Sequence, residues 1–346
     1  MNQLCFFDEG GRLTRLSELG DCLEKLERVI NWSIFVPTLN RVFRKTAKGP
    51  GGRPPYDYLM MFKILVLQRI YNLSDDQTEY QITDRLSFMR FLGLGMERKI
   101  PDAKTIWLFR DTLSKADAMR ELFDIFEQQL ENEHLITRTG TIVDATFVEA
   151  PVQHNSKAER EAIKKGEIPE EWQGKEAKLR QKDTDARWTK KSGRHYYGYK
   201  GHTKVDAESK LITDYRATDA GVHDSQPMPE MITEEDRTVY ADSAYWGKPI
   251  AEALPSNVEN QICERGTKKA PLTDEQKQNN RRKSKIRCRV EHVFGFMTVS
   301  LHGLTLRSIG RKRAELNIGL TNLIYNMFRY EFLVRPKPAF ASCAQK

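Results

Sequence analysis

The sequence predicts a mixed α/β fold, a sheet with helices packed on it, preceded by an all-helical N-terminal region. Two observations predict it. Apolar residues recur at helical spacing from residue 12 to roughly 135, and at residue 139 the texture changes to β-rich runs separated by turn residues. Beyond that point the elements read strand, hairpin, helix, strand, strand, helix, an order that suits helices covering a sheet.

In the helical half, Leu13, Leu16, Leu19, Leu23, Leu26, Val29 and Ile30 keep one helical stripe. The run Lys48-Gly49-Pro50-Gly51-Gly52-Arg53-Pro54-Pro55 then breaks it, because glycine and proline cannot sustain a helix. Tyr56 to Tyr71 is apolar nearly all round and reads as a buried central helix. Ser74 supplies an N-cap for a helix over Asp75 to Arg85. A short helix over Leu86 to Leu94, one opening at Pro101-Asp102-Ala103, and one over Glu121 to Leu130 follow. Short helices interspersed with Arg41, Arg44, Lys45, Lys48, Arg53, Arg85, Arg90, Arg98 and Arg110 suit a helix-turn-helix-like DNA-binding module, although basic helical domains are common.

In the second half, Thr141 to Val148 is a strand bounded by Gly140 and Pro151. Ser156 to Lys191 is rich in Lys and Glu, with Ile163, Ile168, Trp172, Leu179 and Trp188 as its few apolar residues, and reads as a solvated helical or mobile insertion. Tyr196 to Val205 and Leu211 to Thr218 form a hairpin, and Pro229 to Glu234 gives a weak helical signal. Strands follow at Thr238 to Asp242 and Asn260 to Cys263, then a long helix through Glu291 and a last one over 314–331. The domain reading is a helical DNA-binding and dimerisation domain over 1–135 and an α/β catalytic domain over 136–335. The latter holds a charged insertion at about 153–192, and 336–346 is a tail.

Composition narrows the function classes. The net charge is +8 with a pI near 9.1, a balance that favours a polyanionic partner. Five scattered cysteines without a C-x-x-C pair read as reduced thiols, so neither a disulfide frame nor a zinc ribbon is expected. No secretory pattern opens the chain and no apolar run reaches membrane-spanning length, which points to a cytoplasmic location without a membrane partner.

The chemistry rests on three acids. Asp144 interrupts a half-buried strand, where an ionised carboxylate costs several kcal/mol unless a cation or hydrogen bonds compensate. Asp242 ends a second strand, and ligands of α/β sheets commonly bind at such edges. Glu291 lies on a helix with Ile286, Val290, Val293, Phe294 and Met297 along one stripe and Ser284, Arg287, Glu291 and Thr298 along a polar row. Taken singly, Asp144 could be an edge residue, Asp242 a turn former, and Glu291 half of an i, i+4 pair with Arg287. As a set on a basic chain they favour a site for hard divalent cations, which prefer oxygen ligands. Two such ions roughly 3.5–4 Å apart serve phosphodiester chemistry.

Asp144-Ala145-Thr146, Tyr197-Gly198-Tyr199-Lys200-Gly201-His202, His223-Asp224-Ser225, Ala241 to Gly247 and Arg287 to Gly295, in this order and spacing, resemble the DDE transposases of bacterial insertion sequences, specifically the insertion-sequence-five group. The resemblance spans nearly the whole chain. It implies an RNase H-like core, the catalytic and metal-binding triad Asp144, Asp242 and Glu291, and two Mg²⁺ ions for which Mn²⁺ can substitute. It also implies double-stranded DNA at the element ends and target, a homodimer in the synaptic complex, a bacterial nucleoid-associated location, and no nucleotide cofactor. Arg287 and Glu291 fit the helix signature of the family, whereas Ser284 stands where a tyrosine is expected and Thr298 where a basic residue is expected.

Arg281, Arg282, Lys285, Arg287 and Arg289 form a basic approach to Glu291, and with Arg311 and Arg313 they are the expected phosphate contacts. Arg307 and Lys312 are further candidates. Trp246 could stack on a splayed base or pack in a core, and His223 and His292 could tune the site or serve structure. The functional reading is a transposase that cleaves at its terminal inverted repeats and transfers the strand. A nuclease or resolvase without strand transfer and a catalytically degenerate DNA-binding descendant are the alternatives.

Overall fold

The computed structural model describes residues 8–44, 54–95, 97–191 and 193–336. Most of the glycine–proline break, together with Lys45, Lys48 and Arg53, lies outside them. The helical half consists of α1 (Asp8–Glu18), α2 (Cys22–Val29), α3 (Val36–Phe43), α4 (Tyr58–Ile70), α5 (Asp75–Asp84), α6 (Leu86–Leu92), α7 (Ala103–Lys115) and α8 (Met119–Asn132). The single stripe expected over 13–30 is two helices. Gly20, at φ +86°, ends the first, Asp21 caps the second through Leu23 N (3.0 Å), and Leu19 is left exposed.

Local signals explain the other boundaries. Asp57 caps α4 (2.7 Å to Met60 N), Ser74 and Gln77 form a reciprocal capping box on α5, and Asp102 caps α7 (2.7 Å to Thr105 N). Gly93, at φ +65°, closes α6 in the left-handed conformation that glycine adopts without a Cβ penalty. Helix α4 is buried on all sides, from Met60 through Gln68.

The second half contains β1 (Thr141–Glu149), α9 (Lys157–Lys164), α10 (Glu176–Leu179), β2 (Arg187–Lys191), β3 (Arg194–Asp206) and β4 (Ile212–Asp219). It continues with α11 (Met228–Met231), β5 (Thr238–Tyr240), α12 (Lys248–Ala253), β6 (Glu259–Asn260), α13 (Asp274–Arg287), α14 (Arg289–Val299) and α15 (Arg311–Val334). The sheet order is β2-β3-β1-β5-β6, with β4 also paired to β3. Strand β1 runs antiparallel to β3 from Thr141↔Asp206 to Glu149↔Gly198 and parallel to β5 through Thr141↔Val239 and Ile142↔Tyr240. Alternation divides the apolar residues of β1 between two cores. Ile142 and Val148 join a large cluster with α15, and Val143 joins a second one with Met228, Val239, Ala241, Tyr245 and Ile262.

The large cluster does not stop at the expected domain boundary. Leu26 of α2, Phe62 of α4, Phe123 and Phe126 of α8, and Leu316, Leu320, Leu323 and Met327 of α15 belong to one continuous core. Arg69 extends this join by donating to Thr321 Oγ1 (2.7 Å) and to the carbonyls of Leu301 (2.8 Å) and Gly303. A close approach occurs at Gly319, where an added Cβ would lie 2.4 Å from Tyr215 Oη and 2.8 Å from Met119 Cγ. Gly319→Ala is therefore expected to lower stability by about 1–2 kcal/mol, because overpacking outweighs the gain in helix propensity. Denaturant unfolding measures this, and a rise in midpoint would contradict the packing argument.

Two expectations for the insertion are corrected. It has its own small core: Trp172 is fully buried and donates from Nε1 to Glu159 Oε1 (2.6 Å), while Glu159 also completes a capping box with Ser156. Its end is a strand, β2, which the sequence did not reveal because Arg-Trp-Thr-Lys-Lys at a sheet edge carries no apolar alternation. The long helix through Glu291 is also interrupted, at Cys288, between α13 and α14.

Several cations of the helical half are held internally. Arg41 pairs with Glu121, Arg90 with Asp21 (2.6 Å) and Arg110 with Asp75 (2.6 Å), while Arg85 lies over the rings of Tyr71 and Phe88. These contacts tie helices together, while Arg44 and Arg98 are exposed without an ion pair among the described residues. Among the described residues Cys22, Cys263 and Cys288 are free thiols, and no described helix is long and apolar enough to cross a membrane.

Candidate active site

The parallel pairing of β1 and β5 places the first two acids side by side. Ile142 faces Tyr240 in register, so Asp144 and Asp242, each two residues further on, share the carboxyl edge of adjacent strands. Asp242 caps the single turn Ser243–Tyr245 by accepting from Ala244 N (2.7 Å), which fixes the direction of its side chain.

Asp144 is half-buried and accepts from its neighbour Ala145 N (2.8 Å) and from Arg287 (3.5 Å). Burial pushes its carboxyl up to about 6 and the charge of Asp242 adds to this, while the Ala145 amide, Arg287 and Lys191 pull the other way. Two carboxylates at a dry edge thus share too little positive charge.

Glu291 reaches this pair through an intermediary. Its side chain is 63% exposed and accepts from Arg287 (3.2 Å), the same guanidinium that contacts Asp144. Arg287 therefore stands between the strand acids and the helix acid. Among the described residues no three acidic, histidine or cysteine side chains are gathered closely enough to hold a metal ion. The expected set of three acids is present as a close pair plus an acid bridged by arginine. The physical reason is repulsion, since three carboxylates approach one another only around a cation.

Against this geometry, the family described as the transposase DDE domain matches residues 136–327, more than half of the chain. The chain belongs to the DDE transposases. A second family, described as a transposase domain (DUF772), matches residues 12–112. The fold is also similar to that of the piggyBac transposase, in a cryo-EM structure of its synaptic complex with hairpin DNA. The TM-score is 0.45 at 13% identity, over 92% of this chain and 76% of that one. The mixed sheet flanked by helices lies within the matched residues and is the core of a DDE-type DNA transposase.

Divalent metal dependence comes with that family. The residues suit such an ion: Asp144 and Asp242 offer hard oxygen donors, and burial together with the charge of Asp242 raises the Asp144 carboxyl, which a cation would relieve. Tyr245, three residues after Asp242, strengthens the fit. Its phenol is buried, its Oη has no hydrogen-bond partner, and burial with the charges of Asp144, Asp224 and Asp242 holds it protonated.

Sequence reasoning missed Tyr245 and the polar cluster behind the acids of the transposase. Lys200 pairs with Asp224 (2.7 Å) and donates to the Val222 carbonyl (2.6 Å). His202 lies fully buried with Nε2 at 2.9 Å from Thr218 Oγ1, and burial pushes its imidazole down to about 4. The Tyr197–His202 and His223–Ser225 motifs contained these residues, but no spacing rule could bring the two segments together.

The remaining candidates divide by environment. Arg281, Arg282 and Lys285 are exposed along α13, and Arg289 is exposed but donates to the Ala207 carbonyl (2.7 Å). Arg313 is engaged by Asp111 (2.7 Å) and Arg311 pairs with Glu315 one helical turn on (2.8 Å). Trp246 is 45% exposed, in keeping with a surface ring and not a core one. His292 is exposed, and exposed His223 turns its Nδ1 to Ser225 Oγ (2.8 Å). Of the departures from the family row, Ser284 meets Cys263 (3.7 Å) and Thr298 bonds back to the Phe294 carbonyl (2.8 Å).

Proposed function

We propose that this transposase serves an insertion sequence of the insertion-sequence-five group, binding the terminal inverted repeats of the element and carrying out DNA strand cleavage and strand transfer. The observation that carries this reading is the pairing of Asp144 with Asp242 at one sheet edge, with Arg287 and Glu291 beside them. Asp144, Asp242 and Glu291 would hold Mg²⁺, as two ions, with Mn²⁺ as a substitute. When bound, the ions polarise the scissile phosphate and lower the cost of ionising the attacking oxygen.

The chain's own groups do the rest. A water oxygen attacks phosphorus, the bond from phosphorus to the 3′ oxygen breaks, and that oxygen leaves protonated as the 3′-hydroxyl of the element. The same hydroxyl then attacks a target phosphodiester and displaces its 3′ oxygen, so no covalent protein intermediate is needed. Asp144 and Asp242, at the carboxyl edge of adjacent strands, would orient the attacking oxygen beside the ions they hold. Arg287, beside Asp144 and Glu291, would be free to contact the phosphate once cations held those carboxylates, and Arg281, Arg282, Lys285 and Arg289 would hold the flanking backbone. The working form is a homodimer in the bacterial cytoplasm, associated with the nucleoid.

The test is cleavage and plasmid-target joining with DNA flanking the gene, using Asp242→Asn and Glu291→Gln beside the wild type. Both variants are expected to retain DNA binding and lose cleavage at least about 10²-fold, the scale of removing one group that stabilises developing charge. Full cleavage by either variant removes that residue from the site. Cleavage without joining by the wild type favours a nuclease or resolvase, and binding without cleavage a degenerate descendant.

A further inference from the structure

No acidic residue occurs from Arg187 through Val205, a stretch that contains Arg187, Lys190, Lys191, Arg194, Lys200 and Lys204. The structure engages half of these cations internally. Lys200 is taken by Asp224 (2.7 Å), Lys204 by the buried Asp236 (2.7 Å), and Arg187 by the carbonyls of Thr184, Ala186 and Ile163. Lys190, Lys191 and Arg194 are exposed, and none has a carboxylate within ion-pair distance among the described residues. Some exposed arginines elsewhere, among them Arg15, Arg28, Arg180, Arg311 and Arg335, pair with an acid one helical turn away, whereas Arg281 and Arg282 on α13 have no ion pair among the described residues.

The three free cations share one place in the fold. The last β1–β3 pair is Glu149↔Gly198, whereas β2 pairs with β3 from Arg187↔Gly198 out to Lys191↔Arg194. Beyond Gly198 the two strands form a ribbon that outruns β1, held to it by one further bond from Ala150 N to the Tyr197 carbonyl (3.0 Å). Five residues at about 3.4 Å each make it about 17 Å long. Gly193, at φ +82°, sits in its turn, and Trp188 and His195 are exposed beside the cations. The ribbon reaches towards the acids: Lys191 Nζ lies 5.5 Å from the ring centroid of Phe147, three residues beyond Asp144 on β1.

We propose that this β2–β3 ribbon is an arm that grips the backbone of duplex DNA beside the reacting phosphate, with Lys190, Lys191 and Arg194 as its phosphate contacts. The inference rests on the transposase reading of the acid site and adds to it where the DNA runs. A two-stranded ribbon matches the width of the major groove, and cations without an ion-pair partner bind phosphate by releasing counterions from DNA. The contacts are to backbone, so the arm adds affinity and leaves sequence preference to other parts of the chain.

The test uses the full chain carrying Lys190→Ala, Lys191→Ala and Arg194→Ala, titrated over a range of salt with a duplex bearing the element's end and with a random-sequence duplex. Losing three phosphate contacts is expected to reduce the slope of log affinity against log salt by about 2–3 and to weaken both duplexes alike. Lys190→Arg, Lys191→Arg and Arg194→Lys, which keep every charge, are expected to restore the slope, separating lost charge from a misfolded ribbon. A wild-type slope in the alanine variant overturns the arm while the transposase reading stands. An altered oligomeric state at an unchanged slope also overturns it, by making the ribbon a contact between protein chains. If the wild-type chain binds neither duplex, the transposase reading itself fails and takes the arm with it.

Discussion

Asp144→Asn is expected to abolish strand cleavage and at the same time to stabilise the metal-free protein at neutral pH. The first effect follows from losing an oxygen ligand at the point where the attacking group is activated. A drop of about 10³-fold or more corresponds to the several kcal/mol that metal charge contributes to such reactions. The second effect follows from the raised carboxyl. Folding moves it from 3.8 to about 6, so the folded state binds its proton more tightly than the unfolded chain does. Stability from this group is therefore fully present below pH ~4, declines as pH rises through the interval to ~6, and stays low above it. The loss amounts to at most about 3 kcal/mol, since each tenfold change in proton affinity is worth about 1.36 kcal/mol. Asparagine cannot ionise and so avoids that loss, though it weakens the contact with Arg287.

Thermal unfolding of wild type and Asp144→Asn with chelator, between pH 4 and 8, checks this. The two should converge at low pH and separate towards neutrality, with the variant higher. Adding a divalent cation should then raise the wild type and leave the variant unmoved. Parallel pH profiles would show that Asp144 is not the group under strain.

A fragment comprising residues 136–336 is expected to aggregate, although the transposase DDE match lies wholly within it. Helix α15 sits in this fragment, but α8, α7, α2 and α4 cover its apolar face. Phe123 meets Tyr215 edge-on with centroids 5.0 Å apart, and Phe126 meets Tyr330 at 6.1 Å. Leu316, Leu320, Leu323, Ile324 and Met327 are all 3% exposed or less. Uncovering such side chains costs about 1.5–3 kcal/mol each, which for five of them matches or exceeds the whole stability of a typical domain, about 5–15 kcal/mol. Sedimentation and dye binding by the purified fragment test this. A monomeric fragment with a sharp unfolding transition would mean that the two halves have separable cores.

How far the site could be read in advance depended on whether each residue broke a local rule. Asp144 did, as an acid among Val143, Ala145 and Phe147 in a strand, and Asp242 did by ending the next one. Periodicity located the helix of Glu291, and Val290, Val293 and Met297 are buried as that stripe requires. Tyr245 broke no rule, because a tyrosine after a strand is ordinary until its hydroxyl is found buried without a partner. Strand β2 had no apolar period to find, and Trp172 looked like a stray aromatic until Glu159 accepted its indole proton.

By itself the sequence determined the kinds of element, most of their boundaries, and the acids available for metal chemistry, because caps, turns and hydrophobic periods act over a few residues. Only the tertiary structure decided which charges were free. Arg313, Arg110 and Arg90 are basic residues like Lys191 and Arg194, but acids from distant segments hold them. It likewise placed Arg287 between Asp144 and Glu291 and joined the two halves into one core. Ion pairing and burial depend on residues that meet through the fold, and spacing along the chain carries no record of those meetings.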